Sequence, residues 1–157
     1  MTARAKPKPV VIPEAKVQAA AIAMLRGFGC VVHRRNTGAM SGEHKGKSRF
    51  VRFSERGAAD VWCVRPNGYH CEIEIKRLGQ RPSLDQVNWL IAHNGIGGAS
   101  AWWVDNTATL ERVYRHIEAG GVIVYSQETR TYSVKRGDKT TRVVGLSGDF
   151  DLGWRES

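Results

Sequence analysis

Acidic residues are scarce in this chain of 157 residues: 15 Asp and Glu stand against 24 Lys and Arg, a formal net charge of +9 and a pI near 9.9. An enzyme of small neutral metabolites has little reason to carry that excess, and a polyanionic partner, usually nucleic acid, is the expectation. Long apolar runs are missing too. None approaches the roughly 18 residues that span a bilayer, no lipidation signal appears, and Val10-Val11-Ile12 is too short for the core of a secretory signal. Cysteine is rare: Cys30, Cys63 and Cys71 are odd in number, lie in apolar stretches and show no Cys-x-x-Cys spacing. That excludes a disulfide framework or zinc site of the usual kind and leaves buried free thiols in a soluble, cytoplasmic protein without a membrane partner as the expectation. No internal repeat is visible.

What is present suffices for one hydrophobic core. Residues 1–13 read as a flexible, Pro-containing basic arm. Val17, Ala21, Met24, Leu25 and Phe28 then recur at helical spacing after Pro13, with Gly27 and Gly29 closing the run. Cys30 to Arg34 reads as a short strand. Asn36 to Ala59 is crowded with Gly, Ser and basic residues and reads mostly as loop, with a brief strand over Phe50 to Phe53. Asp60 to Val64 and Tyr69 to Lys76 flank Arg65-Pro66-Asn67-Gly68, a turn signal that predicts an antiparallel hairpin. Ser83-Leu84-Asp85-Gln86 has the form of a capping box and opens a second helix ending at Asn94-Gly95. Ala101 to Val104 reads as a buried strand. Leu110, Val113, Tyr114 and Ile117 mark a third helix stopped by Gly120-Gly121, and Val122–Tyr125, Thr131–Lys135 and Thr141–Val144 read as a β-meander with a polar tail. The order is α/β: a mixed central sheet flanked by helices, with residues 14–120 as the main domain and 121–157 as a β extension packed on it.

In the second hairpin strand Tyr69, Cys71, Ile73 and Ile75 alternate with His70, Glu72, Glu74 and Lys76, so one face is apolar and the other ionisable. Pairing Arg65 with Gly68 across the turn sets Asp60 opposite Ile73 and diagonal to Glu74. Two carboxylates at that spacing suit Mg²⁺ or Mn²⁺, with the Ile75 carbonyl as a further oxygen and waters completing the shell. Such an ion answers the two difficulties of phosphodiester hydrolysis, repulsion of the nucleophile and charge on the leaving oxygen. Lys76, on the same face, is placed to hold water or neutralise the phosphate. A Glu-x-Lys pair on a strand also describes a solvated face with charges paired for solubility. Glu14 lies on or beside the helix face expected to be buried, where a lone carboxylate is costly; it reads either as a first-turn acid favoured by the helix dipole or as a metal ligand through water.

These pieces, Glu14, Arg35-Asn36-Thr37-Gly38, Gly57-Ala58-Ala59-Asp60, Glu74-Ile75-Lys76 and Ser83 to Leu90, resemble in order and spacing the virus-type replication-repair nuclease domains. That family is a branch of the restriction-endonuclease-like superfamily with a PD-(D/E)-x-K signature, and the resemblance covers roughly Glu14 to Val104. It implies a restriction-endonuclease-like core, direct metal ligation by Asp60 and Glu74, a catalytic Lys76, an outer acidic Glu14 and a helix residue, Gln86, reaching the site. It also implies two-fold dimers and similarity to junction-resolving enzymes. Ala59 departs from the proline common at that position, which affects backbone stiffness rather than chemistry.

From Arg34 to Arg56 seven basic residues, Arg34, Arg35, Lys45, Lys47, Arg49, Arg52 and Arg56, face two Glu in sequence. With Asn36 they read as a grip on the phosphate backbone, although Asn-Thr-Gly is also ordinary turn chemistry. His70 is the one histidine worth testing, and the tryptophans read as core or subunit contacts. The expectation is a metal-dependent DNA nuclease, an endonuclease favouring branched or flapped DNA. Its rivals are a non-catalytic nucleic-acid-binding protein, whose acidic strand face is only solvated, and a sequence-specific restriction-type endonuclease.

Overall fold

A computed structural model of the chain describes residues 10–143 other than 53, 127 and 130. Most of the expected basic arm, the expected polar tail, Phe53 and Val144 therefore lie outside the described residues. The fold is mixed α/β. Helix α1 spans Glu14–Gly27, with Pro13 at its N-cap, and buries Val17, Ala21 and Leu25. Strand β1 follows at Val31–Arg34, β4 at Val61–Val64 and β5 at His70–Ile75. Helix α2, Leu84–His93, starts from a complete capping box in which the Ser83 hydroxyl and the Gln86 side chain satisfy each other's backbone N–H groups. Strand β6 is Ser100–Val104, and α3, Thr107–Glu118, is capped by the Asn106 side chain, which accepts from the Thr109 N–H at 2.7 Å.

The central sheet runs β1-β4-β5-β6. Its first two pairings are antiparallel and β5-β6 is parallel, which requires a crossover; α2 provides it. Alternation assigns the two faces. Cys71, Ile73 and Ile75 join Leu25 of α1 and Leu110, Val113 and Tyr114 of α3 in the core, while Glu72 and Glu74 point to the opposite face, where Trp89 and Gln86 of α2 meet them. All three cysteines are buried and free, as expected. A meander of β7 (Val122–Ser126), β8 (Thr131–Arg136) and β9 (Lys139–Val143) follows α3. The Tyr125 and Tyr132 hydroxyls tie it to β6, donating to the carbonyls of Ala101 and Trp103, each at 2.7 Å. No helix among the described residues is long and apolar enough to cross a membrane.

Two expectations need correction. The segment read mostly as loop holds a regular hairpin, β2 (Ala39–His44) with β3 (Lys47–Arg52), forming a two-stranded sheet of its own; Phe50 to Arg52 of the expected brief strand fall in β3. Its two-residue turn is Lys45-Gly46 with φ of 52° and 72°. That left-handed pair has the sign of a type I′ turn, whose twist matches the flanking strands. A lysine in the position usually held by Asn, Asp or Gly hides the signal. In the β4-β5 hairpin, Arg65 pairs with Tyr69 rather than Gly68, its N–H donating to the Tyr69 carbonyl at 2.9 Å. The loop is one residue longer, with Gly68 at φ 86°. Val61 therefore pairs with Ile73, and Asp60 comes directly opposite Glu74 instead of diagonal to it.

Candidate active site

Asp60 stands at the mouth of β4 and Glu74 one residue before the end of β5. Burial at this point is nearly complete: Asp60 is 9% exposed and Glu74 0%. Each carboxylate bonds the other strand's backbone. The Asp60 N–H donates to Glu74 Oε2 at 3.2 Å, and the Ile75 N–H donates to Asp60 Oδ2 at 3.1 Å. The Thr37 hydroxyl, quoted in the sequence only as part of a turn, donates to Asp60 Oδ1 at 3.2 Å. Gln86, in the first turn of α2, donates to Glu74 Oε1, and the Lys76 ammonium lies 2.6 Å from the same oxygen with its side chain only 13% exposed.

The close approach that makes this convergence possible runs through Gly57. Its φ is +82°, and a Cβ there would collide with the backbone carbonyl of Asp85. The backbone thus passes hard against the first turn of α2, and the small buried residues Ala58 and Ala59 lead directly into Asp60.

Two glutamates two residues apart on β5 meet opposite fates. Glu72 is pulled below the ordinary carboxylate range despite the opposing effect of burial, because the Arg35 guanidinium grips both its oxygens, at 2.6 and 3.1 Å, and His70 and the Trp89 indole N–H add hydrogen bonds. Glu74 is pushed up to about 7, first by burial and then by the negative charge of Asp60, with Lys76 only partly offsetting them. Asp60 is raised by burial as well, and the Glu14 charge adds to this. Glu72 is therefore a compensated structural ion. Asp60 and Glu74 are a buried like-charge pair, an arrangement that favours capture of either a proton or a cation.

The proposed site residues divide into three groups. Asp60, Glu74, Lys76, Gln86 and the Ile75 backbone converge. Glu14 does not take the buried place expected of it: it is exposed, accepting from the Arg77 N–H at 3.3 Å, yet its charge still reaches Asp60. Gln18, one turn further along α1, is the polar residue that turns inward there, 7% exposed. The basic residues are dispersed. Arg35 faces inward on Glu72 and the Ala59 carbonyl, Asn36 accepts from the Gly38 N–H in a local turn, and Arg56 pairs with Asp85. Arg34 is exposed at the end of β1, while Lys45, Lys47, Arg49 and Arg52 belong to the β2-β3 ribbon or its turn. An open groove of about 460 Å³, lined in part by Glu14, Arg77 and Gln80, adjoins Glu14.

Among the described residues no group of three or more His, Cys, Asp or Glu side chains forms a ligand cluster. The donors that do converge are two hard carboxylates of raised proton affinity, which fit Mg²⁺ or Mn²⁺, ions that retain several waters and use few protein oxygens. They do not fit zinc, which prefers nitrogen and sulfur in a closed tetrahedron. No family model, curated protein or solved structure matches the chain.

Proposed function

We propose that the protein is a metal-dependent nuclease of restriction-endonuclease-like type, hydrolysing DNA phosphodiester bonds at Asp60, Glu74 and Lys76. The observation that carries this reading is the buried Asp60–Glu74 pair, two carboxylates raised in pKa beside an ordered lysine. A solvated acidic face, as a purely binding protein would have, needs neither burial nor a like-charged partner. Holding two such groups together costs stability, and sites that do so are commonly functional.

Asp60 and Glu74 would hold Mg²⁺ or Mn²⁺, with the Ile75 carbonyl as a third oxygen. The bound cation supplies Lewis acidity toward water and the scissile phosphate. Lys76 neutralises charge growing on the phosphate oxygens and orients the water that attacks phosphorus, while the P–O bond to the leaving sugar oxygen breaks and that oxygen takes a proton. Gln86 fixes one Glu74 oxygen so that the other stays toward Asp60. The β2-β3 ribbon, with Lys45, Lys47, Arg49 and Arg52, is of a kind that fits a DNA groove, and its charge engages phosphates without reading sequence. Arg35 has a different role: by neutralising Glu72 it keeps a third negative charge from the centre. Preference for branched DNA and a two-fold dimer extend the same proposal, placing two centres on two strands.

The test is cleavage of labelled junction, flap and linear DNA with Mg²⁺, Mn²⁺ or EDTA, comparing wild type with Lys76→Ala and Asp60→Ala and measuring DNA binding in parallel. Metal-dependent product that disappears in both variants, with binding retained, is the expected result. Binding without cleavage in every ion refutes the nuclease, and equal cleavage of all three DNAs refutes the branched preference alone.

A further inference from the structure

The far end of the β4-β5 hairpin holds a positive charge that no carboxylate among the described residues answers. Arg65 directly follows β4, five residues beyond Asp60, which on an extended strand is roughly 16 Å from the carboxylate pair. It is 6% exposed. Among the described residues it takes part in no ion pair. Its Nε is buried without a hydrogen-bond partner, and its guanidinium contact is the Tyr69 ring, 5.4 Å from centroid to Cζ. A buried Nε–H without an acceptor, on a guanidinium without a carboxylate, is unfavourable. The neighbouring thiols are no substitute, since burial raises Cys30, and the Cys71 hydrogen bond followed by burial raises Cys63, keeping both protonated.

Arg65 lines a partly open cavity of about 330 Å³. Ser100 lines it as well, also 6% exposed, and its hydroxyl finds no partner among the described residues. Asn67 at the rim uses its amide oxygen on the Tyr69 N–H, which leaves its NH₂ group as a donor. The Asn94 amide is already committed to Ile123 and Ala101. The one acid in the lining, Glu118, pairs with Arg115 at 3.2 Å. The cavity therefore presents a buried cation and neutral donors, with its one carboxylate held elsewhere.

We propose that this cavity is a phosphoryl-group site, separate from the Asp60–Glu74 centre, in which the Arg65 fork holds two phosphate oxygens and the Ser100 hydroxyl donates to a third. The planar guanidinium matches two oxygens of one phosphate, and the tetrahedral group keeps further oxygens for Ser100 and Asn67. The volume leaves room for whatever the phosphate is attached to, so the source is either a free nucleotide or the phosphorylated end of a nucleic acid. This inference does not rest on the nuclease reading.

The experiment titrates the full chain with inorganic phosphate in EDTA at constant ionic strength, following binding by calorimetry and by the thermal midpoint. Saturable binding is expected in wild type, unchanged in Asp60→Asn, about fivefold weaker in Ser100→Ala and at least tenfold weaker in Arg65→Lys. Ser100→Ala removes one hydroxyl and leaves the buried charge in place, so it keeps the test valid if Arg65→Lys does not fold. A nucleoside 5′-monophosphate and one oligonucleotide with and without a 5′-phosphate then separate the sources: affinity that depends on the 5′-phosphate of the oligonucleotide assigns the nucleic-acid end, and tight binding of the mononucleotide alone assigns the free ligand. Absence of saturable phosphate binding, or equal affinity in wild type and Ser100→Ala, overturns the proposal. Loss of binding in Asp60→Asn also overturns it, because the phosphate would then sit at the acidic pair.

Discussion

Raising the pH should weaken the metal-free protein through Glu74, by an amount the structure sets. Its carboxyl has an ordinary value of 4.5 and is held at about 7 in the fold, by burial and by Asp60. Between those values the native state keeps a proton that the unfolded chain has released. Its contribution is therefore fully present below about pH 4.5 and is lost as pH rises through 7. The difference corresponds to about 3 kcal/mol, or roughly 6 to 12 °C in Tm for a chain of this size. Asp60, also raised, acts in the same direction. His116, lowered by burial and by Arg136 and Arg112, acts in the opposite direction below pH 6.5. Comparison with Glu74→Gln cancels His116 and any fixed cost of the amide. In EDTA, urea unfolding at pH 5 and pH 8 should show wild type losing about 2.5 kcal/mol relative to the variant, because part of the effect is already spent at pH 5. Mg²⁺ or Mn²⁺ should restore wild type at pH 8 and have little effect at pH 5, where the cation must displace a proton. Parallel pH profiles for the two proteins would refute the assignment of a like-charge pair, and pH-dependent stability that no divalent ion restores would remove the metal from the site.

Arg35→Met leaves the Glu72 carboxyl buried with only His70 and Trp89 as partners, so chemical denaturation should register a loss of about 3 kcal/mol. Gly57→Ala forces a Cβ into the Asp85 carbonyl at a left-handed φ; a loss of about 2 kcal/mol or more is expected, with metal affinity falling as Gln86 moves with its helix. Lys45→Asn gives the β2-β3 turn the Asn-Gly pair that type I′ geometry favours, stabilising the ribbon by about 1 kcal/mol. If the ribbon grips DNA, the same change should reduce the slope of log affinity against log salt by about 1, measurable by fluorescence anisotropy.

Much of the fold is legible in the sequence because its elements carry local signatures. The capping box fixes the start of α2, the spacing from Leu110 to Ile117 fixes α3, and alternation fixes the two faces of β5. The β2-β3 hairpin was hidden for an equally local reason: Lys45-Gly46 adopts the I′ turn without its usual residues, in a stretch whose charge suggests loop. The register at Asp60 turned on one residue of loop length, since Pro66-Asn67-Gly68 supports a tighter or a wider turn equally well. Only the Arg65–Tyr69 pairing decides between them.

The site was legible as a list of residues but not as a division of labour. Glu72 and Glu74 are the same residue type on the same face of the same strand, and alternation treats them alike. Their difference comes from long-range partners: Arg35, 37 residues away in sequence, reaches Glu72, whereas Asp60, 14 residues from Glu74, is set opposite it. An arginine just past β1 and an aspartate at the mouth of β4 thus turn one glutamate into a silent structural ion and the other into a group with unmet charge. The basic segment divides in the same way, Arg35 being consumed inside the fold while the ribbon lysines remain outside it. Reversing the distribution should therefore reverse the roles. In Arg35→Met, Glu72 loses its cation and its pKa must rise toward that of Glu74. Carboxyl titration by NMR should then show a second raised glutamate in the variant, and an unchanged Glu72 would mean that His70 and Trp89 alone suffice to hold it.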